Sequence, residues 1–426
     1  MSGRWRLAAA VVVVVVAAAG LWWVPSAGPP AAPPAGPLPP LHGLVVYLSA
    51  GHGWLLHRTD HDGLPITWAQ QRPLLHGMVE DDWTADFVAH ELAPALEAAG
   101  ATVVALRERD RNPTMVVVDD GDAGWSARGH VARTLRPLAL GGDATRLSPH
   151  SDATWRLRVP DHGHWYLYAR WTADAGADPA AVYTARGGGH ATEVVVDQRA
   201  HGGHWWPLSN WCLPAGAEVQ VTLSGSGAGT LSADAVRLGG GSYHIVPETD
   251  FALHTHPMWQ VAMPHQLAHL GAPPGMDRYE CGNAVSDMRL RSHWASWASP
   301  PAEDAVYLSI HTNATPDRSA RGLEVYAGVD SDPPTDVDPL SLRLAHALED
   351  RITAAVQAGD PDYATHGVLL GDFSEISPIH NALPSVLLEL GFHDDPVDAA
   401  RLQTSAFQDA AVRGIVAGLT RWHAGS

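Results

Sequence analysis

The order of hydrophobic and polar positions in the first hundred residues predicts a parallel β-α-β unit. Residues 44–49 form a short, continuous apolar run before a glycine loop, which is typical of a buried strand. Residues 80–99 then carry apolar side chains at helical spacing, and residues 102–106 form a second apolar run. Pro94 lies inside the predicted helix and is expected to kink it about one turn upstream. Strand, helix and strand in this order favour a parallel sheet.

The pattern changes at about residue 112. Short runs that alternate apolar and polar side chains are separated by glycine-rich turns, at residues 164–171, 193–196, 218–223 and 231–238. Alternation with frequent turns predicts an antiparallel β-sandwich. The first of these runs is rich in aromatic residues, for which packing in the sandwich core is favoured over a sugar-stacking surface: Trp165, Tyr166, Tyr168 and Trp171.

An α/β pattern resumes after this segment, with strands at residues 305–310 and 386–390 and helices at residues 340–357 and 396–423. The predicted fold class is therefore α/β, with a mostly parallel, twisted sheet flanked by helices and interrupted by an inserted antiparallel β-sandwich domain. We expect the host domain to span residues 41–111 and 242–426, and the insert to span residues 112–241.

The start of the chain has the pattern of an export signal. Arg4 and Arg6 precede an apolar run at residues 7–24, and a proline-rich linker follows at residues 25–40. Residues 1–24 are either a cleaved signal peptide or, because the run just reaches spanning length, an uncleaved membrane anchor. Both alternatives place the protein in the periplasm, the cell envelope or the extracellular space, with membrane contact only through such an anchor.

Composition narrows the function classes. The formal net charge is −19 and no lysine occurs, which argues against a nucleic-acid partner because such binding needs a cationic surface. Two cysteines exclude both a disulfide-dense scaffold and an all-cysteine zinc site. Cys212 and Cys281 are expected to be unpaired buried thiols, with a single disulfide as the alternative.

Candidate chemistry collects where the predicted parallel strands end. His52 and His311 follow two of these strands, and Glu389 lies at the end of a third. The carboxyl ends of parallel strands meet at one edge of the sheet, where ligands bind. Glu80 begins the helix after the first strand and can face the same edge. Two imidazoles and one carboxylate are the ligand set of a catalytic zinc site, and a further carboxylate can carry protons.

Each of these residues also has a plain structural role open to it. Glu389 can be a buried, salt-bridged carboxylate, and the two histidines can be hydrogen-bonded loop residues. Glu80 can simply serve the helix dipole. The segment between His52 and Glu80 also contains rival metal ligands, which are His57, Asp60, His61, Asp62 and His76. The turn at residues 119–122 is acidic, but a solvated turn is favoured over a calcium site because the spaced ligands of a calcium loop are missing.

Three short motifs resemble those of the zinc-dependent N-acetylmuramoyl-L-alanine amidases of the Amidase_3 family. Residues 309–314 read SIHTNA and are similar to the family's SIHxNA motif. Residues 51–53 read GHG and resemble its first-ligand loop, although Ser49, Ala50 and Trp54 replace the usual Asp, Pro and Gly. Residues 389–400 resemble its ELGF and NPxDA segment, with Asp395 in place of Asn, a change expected to affect a turn.

The resemblance implies one Zn2+ ion held by His52, Glu80 and His311, with Glu389 as the catalytic carboxylate. It also implies peptidoglycan as the partner and hydrolysis of the amide between the lactyl group of N-acetylmuramic acid and L-alanine. Further candidates for contact with the substrate are Asn313, His380 and Asn381.

Within the insert, residues 116–120, 124–127, 192–203 and 233–237 resemble segments of the golvesin-like β-sandwich domain. The resemblance implies that the insert is an accessory or wall-targeting module. Two alternatives to an amidase remain at this point. One is a non-catalytic cell-wall binding protein, and the other is a zinc hydrolase of the same fold that cuts a different amide.

Overall fold

Strands outnumber helices in this computed structural model, which describes residues 37–57, 67–107, 109–110, 112, 114–129, 131–241, 263–276, 287–300, 304–330, 337–377 and 382–425. In chain order the strands are β1 (Val45–Ala50), β2 (Trp54–His57), β3 (Thr67–Gln70), β4 (Thr102–Ala105), β5 (Met115–Val118), β6 (Trp125–Arg128), β7 (Val131–Leu135), β8 (Asp143–Leu147), β9 (Asp152–Arg158), β10 (Gly163–Ala169), β11 (Ala181–Gly187), β12 (His190–Val196), β13 (Trp206–Leu213), β14 (Glu218–Ser224), β15 (Leu231–Ala233), β16 (Val236–Gly239), β17 (Ala305–Asn313), β18 (Leu323–Gly328), β19 (Thr365–Gly371) and β20 (Ser385–Phe392). The helices are α1 (Glu80–Asp86), α2 (Ala93–Ala98), α3 (Met263–Leu270), α4 (Asp287–Ala298), α5 (Pro339–Gln357), α6 (Pro396–Leu402) and α7 (Ser405–His423).

A six-stranded sheet forms the host domain, in the order β19-β18-β20-β17-β1-β4. Neighbouring strands run parallel except at β18 and β20, which are antiparallel. The strands β1 and β20 are buried along their whole length, which explains why they appear as continuous apolar runs in the sequence. The β-sandwich strands β5 to β16 fall between β4 and β17 in the chain, so the predicted α/β fold with an inserted antiparallel domain is confirmed.

The two faces of this sheet are covered differently. On one face, side chains such as Val46, Leu308 and Leu388 pack with the helices α1, α5 and α7 in one apolar core. On the other face, Tyr47 packs against Trp294 of α4, with ring centroids 6.1 Å apart. That second core is continuous with the tryptophans of the β-sandwich, so α4 lies where the inserted domain joins its host.

The predicted first helix is interrupted, as Pro94 suggested. A π-helical segment, Phe87–Leu92, lies between α1 and α2, and the Ala93 N–H donates to the Val88 carbonyl. Pro94 has no N–H, and its ring would clash with the carbonyl four residues earlier. The wider π turn accommodates both defects immediately before the proline.

The sandwich consists of three antiparallel sheets, ordered β13-β10-β16-β5, β12-β11-β14-β9-β6 and β15-β8-β7. The run at residues 231–238, predicted as one strand, is instead two strands in different sheets. The break falls at Asp234, whose carboxylate accepts a hydrogen bond from the Leu140 N–H at 3.1 Å.

The aromatic run at residues 165–171 divides between two faces, so the expectation that all four rings fill the sandwich core is wrong for two of them. Trp165 and Trp171 lie in the main core. Tyr168 belongs instead to a small separate cluster with Trp205, and Tyr166 is only partly buried beside it. The alternation of side chains along a strand produces this division.

Cys212 is unpaired and exposed, so the expectation that it is buried is wrong. It lies on an outward position of β13, between the buried Trp211 and Leu213. Cys281 and the export segment at residues 1–24 lie outside the described residues. Among the helices that the structure describes, none combines the length and apolar character needed to span a membrane.

Candidate metal centre

Three potential ligands meet at the edge of the sheet where β1 and β17 end. His52 follows β1, His311 lies near the end of β17, and Glu80 is the first residue of α1. Their ligand atoms all lie within 4.8 Å of one another. The Glu80 Oε1 atom is 3.6 Å from His52 Nε2 and 3.4 Å from His311 Nδ1. Ligands about 2.0 to 2.2 Å from a tetrahedral zinc ion are separated by about 3.4 Å, so the two distances from Glu80 are close to those that such an ion needs.

The environment of His52 keeps its imidazole neutral and its Nε2 atom directed at the centre. Its Nδ1 atom donates to Gln71 Oε1 at 2.9 Å, which leaves Nε2 with its lone pair. Burial disfavours the charged form and lowers the pKa of His52 to about 4. The backbone φ of 52° places this residue in the left-handed region, so the loop holds His52 in a conformation that costs energy.

His311 is oriented from its far side by a carboxylate that sequence reasoning missed. Its Nε2–H donates to Glu375 Oε2 at 3.0 Å, so Nδ1 is the atom that faces Glu80. Burial opposes a charge on His311, but hydrogen bonds to Glu375 and Glu80 outweigh burial and raise its pKa. A proton and a metal ion therefore compete for the same Nδ1 atom.

Glu375 is itself held by two further donors. Ser309 Oγ donates to Glu375 Oε2 at 2.7 Å, and Arg291 Nη1 lies 3.2 Å from Oε1. Arg291 also donates to the carbonyls of Ala50 and His52, which ties the carboxylate to the first-ligand loop. Burial raises the pKa of Glu375, but the contacts with His311 and Arg291 prevail and lower it to about 2. No spacing pattern in the sequence pointed to this residue, because it lies in the connection between β19 and β20.

Glu80 is completely buried, yet its surroundings keep it ionised. Its Oε1 atom accepts the Thr312 N–H at 2.9 Å, which fixes the carboxylate relative to His311. Burial alone would raise the pKa of Glu80, but the hydrogen bond with His311 outweighs burial and lowers it. His393, which the sequence did not single out, places its Nδ1 atom 3.7 Å from Glu80 Oε2.

Glu389 lies beside the three potential ligands and is not part of their cluster. It pairs in register with His311 on one side and with Glu324 on the other. Its side chain is 8% exposed, and its Oε2 atom accepts no hydrogen bond within the described part of the chain. Burial raises the pKa of Glu389, and the negative charges of Glu80 and Glu324 add to the rise, against the opposing effect of His311.

A guanidinium group reaches into the same centre. Arg72 Nη2 donates to His52 Nε2 at 2.9 Å, and Arg72 Nε lies 3.3 Å from Glu80 Oε2. Asp81 fixes the loop that carries Arg72, because its carboxylate accepts the backbone N–H groups of Gly53 and Arg72. A positive charge thus already interacts with two of the potential ligands.

The remaining candidates fall into three groups. Asn313 donates from Nδ2 to Glu324 Oε2 at 2.8 Å, so it supports a neighbour of Glu389. His76 Nε2 donates a hydrogen bond to the Asp394 carbonyl, and His76 is not part of the cluster of potential ligands. Outside the described residues lie His380, Asn381, Asp60, His61 and Asp62.

Two further expectations concerned turns. Asp395 caps α6 by accepting from the N–H groups of Val397 and Asp398, which is a local backbone role. In the acidic turn at residues 119–122, Asp120 accepts from Thr145 Oγ1 and lies 3.3 Å from Arg133. These partners neutralise part of the acidic turn.

Two family models match the chain. Residues 282–421 match the N-acetylmuramoyl-L-alanine amidase family, Amidase_3, and residues 141–240 match the Golvesin C-terminal domain. Both matches agree with the resemblances that the sequence motifs predicted. His311 and Glu389 lie inside the first match, whereas His52 and Glu80 lie before it and join the site only through the fold.

Individual relatives cover the chain in part. The uncharacterized protein YqiI of Bacillus subtilis (strain 168) is 31% identical over 118 residues, which are 28% of this chain and 51% of YqiI. The catalytic domain of the amidase CwlV from Bacillus (Paenibacillus) polymyxa var. colistinus is 22% identical, with a TM-score of 0.26 over 33% of this chain and 67% of that one. The amidase Ami1 of Mycobacterium smegmatis is also 22% identical, with a TM-score of 0.27 over 43% of this chain and 82% of that one.

Proposed function

We propose that this protein is a zinc-dependent N-acetylmuramoyl-L-alanine amidase that acts on peptidoglycan outside the cytoplasm. The observation that carries the proposal is that the ligand atoms of His52, Glu80 and His311 lie within 4.8 Å of one another, beside the buried carboxylate of Glu389. The match of residues 282–421 to the amidase family supports the same reaction. The bond cut would be the amide between the lactyl group of N-acetylmuramic acid and L-alanine.

The ligand atoms suit zinc rather than a harder cation. Two imidazole nitrogens and one carboxylate oxygen are a donor set that zinc accepts, and calcium or magnesium would need more oxygen ligands. When bound, zinc supplies a Lewis acid that polarises the scissile carbonyl and lowers the pKa of water to about 7. His52 Nε2, His311 Nδ1 and a Glu80 oxygen would hold it.

Glu389 would carry the proton. As a carboxylate it accepts a proton from the attacking water, and as a carboxylic acid it returns that proton to the departing nitrogen of L-alanine. The raised pKa suits both halves of this cycle, because a carboxyl group of ordinary pKa would give up its proton too readily to protonate an amine. Glu375 keeps the Nε2–H of His311 engaged, so the ring presents Nδ1 throughout the reaction.

The proposal is tested by digesting purified peptidoglycan and identifying the products by mass spectrometry. We expect stem peptides that begin with L-alanine, together with glycan chains whose lactyl groups end in free carboxylates. The Glu389→Gln variant should release almost none, whereas Glu218→Gln, an exposed change on the sandwich, should match the wild-type protein. Peptides cut at another amide would identify a different hydrolase. If the zinc-loaded wild-type protein releases no peptide, the result would support a non-catalytic binding protein instead.

A further inference from the structure

A cavity of about 350 Å³ lies between the sandwich and β4, the edge strand of the host sheet. Its volume is within the range of small-molecule sites, about 300 to 1,000 Å³. The sandwich contributes Tyr166, Tyr168, Trp205 and Asn210 to its lining. The lining does not include His52, Glu80, His311 or Glu389, so the cavity is separate from the candidate metal centre.

One cavity residue is a buried cation. Arg237 is 2% exposed, and its guanidinium carbon lies 4.4 Å from the ring centroid of Tyr168 and 4.8 Å from that of Trp205. Its Nη1 atom donates to the His269 carbonyl at 3.2 Å. Its Nε–H finds no hydrogen-bond acceptor among the residues with described positions. The two rings stabilise the charge only in part, by about 0.5 to 2 kcal/mol each.

The carboxylates near Arg237 are already paired with other arginines. Asp234 lies 3.3 Å from Arg170, and Glu97 makes two hydrogen bonds to Arg109. In the described part of the chain, Arg237 therefore has no carboxylate partner. A buried charge without a counter-ion is costly, and an anion in the adjoining cavity would supply one.

The remaining lining suits a sugar ring. The rings of Tyr166 and Tyr168 lie 6.2 Å apart with planes only 22° from parallel, and both residues line the cavity. Ser209 and Asn210 line the same cavity and offer polar groups for hydroxyls. Apolar sugar faces pack on aromatic rings, and guanidinium groups bind carboxylates through paired hydrogen bonds.

We propose that this cavity binds an anionic saccharide, with its carboxylate at Arg237 and its ring against Tyr166 and Tyr168. The choice of sugar rests on the proposed function. Hydrolysis at the lactyl amide frees a carboxylate on each N-acetylmuramic acid, so a glycan that has lost its stem peptide presents the required group. The sandwich would then hold the enzyme on glycan that it has already processed.

The test is a calorimetric titration of the full-length Glu389→Gln chain, so that binding is measured without turnover. N-acetylmuramic acid is compared with N-acetylglucosamine, which has a hydroxyl in place of the lactyl ether that carries the carboxylate. We expect the acidic sugar to bind about tenfold more tightly, because one charge-assisted hydrogen bond contributes about that difference in affinity. Equal affinity for the two sugars, or binding of neither, would overturn the proposal. Tighter binding of N-acetylglucosamine 6-phosphate than of N-acetylmuramic acid would overturn the assignment of a carboxylate.

Three variants separate the charge from the aromatic surface. Arg237→Gln should abolish the preference for the acidic sugar. Tyr166→Ala, at a partly exposed position, should weaken the binding of both sugars. Arg186→Gln removes the same charge from an exposed position on the other large sheet of the sandwich and should bind like the parent chain. If Arg237→Gln unfolds, the Tyr166→Ala result alone decides, and full affinity in that variant contradicts the proposal. These measurements do not depend on hydrolysis. The saccharide proposal can therefore fail while the amidase proposal stands, and the amidase proposal can fail while saccharide binding is observed.

Discussion

The Glu375→Gln variant tests how the protein orients its candidate ligand His311. The substitution keeps the size of the side chain and removes its charge. In the native site, Glu375 Oε2 accepts from His311 at 3.0 Å and from Ser309 at 2.7 Å, while Oε1 faces Arg291 at 3.2 Å. An amide has only one oxygen, so it can satisfy one of these two sides and must direct its NH2 group at a donor on the other.

The substitution should lower both the affinity for zinc and the folding free energy, by different amounts. Turning the charged acceptor of the His311 N–H into a neutral one removes about 1 to 1.5 kcal/mol, the difference between charge-assisted and neutral hydrogen bonds. That is about a tenfold loss of zinc affinity, at the lower end of the 10- to 100-fold range typical of such residues. Breaking the buried pair with Arg291 costs about 3 to 5 kcal/mol of folding free energy.

Zinc affinity is measured by competition with a chromophoric chelator, and stability by urea unfolding of the metal-free protein. The matched control is Asp360→Asn, which breaks the 2.6 Å pair with Arg401 away from the metal centre. We expect both variants to lose stability and only Glu375→Gln to lose zinc affinity. Wild-type affinity in Glu375→Gln, or an equal loss in Asp360→Asn, would refute the positioning role.

Further predictions concern proton transfer, the competing guanidinium and a helix cap. Glu389→Gln should slow muropeptide release by about 10² to 10⁴ at unchanged zinc content, and release at the wild-type rate would exclude Glu389 as the base. Because burial raises the pKa of Glu389 and only the carboxylate accepts a proton, kcat/KM should fall as the pH drops below neutrality; a profile flat down to about pH 5 would contradict this. Arg72→Gln removes a charge that competes at His52, so zinc should bind roughly three- to tenfold more tightly in chelator competition, and weaker binding would argue that Arg72 assists the metal. Asp395→Ala removes the N-cap of α6 and should lower the free energy of unfolding in urea by about 1 kcal/mol. An unchanged midpoint would show that the cap does not stabilise the fold.

The strands that position the candidate site residues were predictable because burial on both faces requires a continuous run of apolar residues. The strands β1, β17 and β20 are continuous apolar runs, and the histidines and Glu389 stand at their ends. By contrast, the edge strand β19 contains only exposed and half-buried residues and did not resemble a buried strand. Parallel pairing then brings together His52 and His311, which no local pattern connects.

Other parts of the site depend on tertiary contacts that the sequence does not encode locally. Glu375 lies 64 residues from His311 and belongs to no strand or helix, so neither spacing nor periodicity identified it. The same holds for Arg72, which reaches His52 only after the chain folds back. In the sandwich, alternation predicted two faces for β10 but not that Tyr166 and Tyr168 would line a cavity against β4.

The zinc content of the purified full-length protein tests the central claim most directly. Elemental analysis after dialysis should find about one zinc ion per chain in the wild-type protein and almost none in His311→Ala. The His150→Ala control, which removes an exposed histidine of the sandwich, should retain the wild-type content. Zinc retained by His311→Ala, or no zinc in a folded wild-type protein even after incubation with the ion, would contradict a metal centre built from His52, Glu80 and His311.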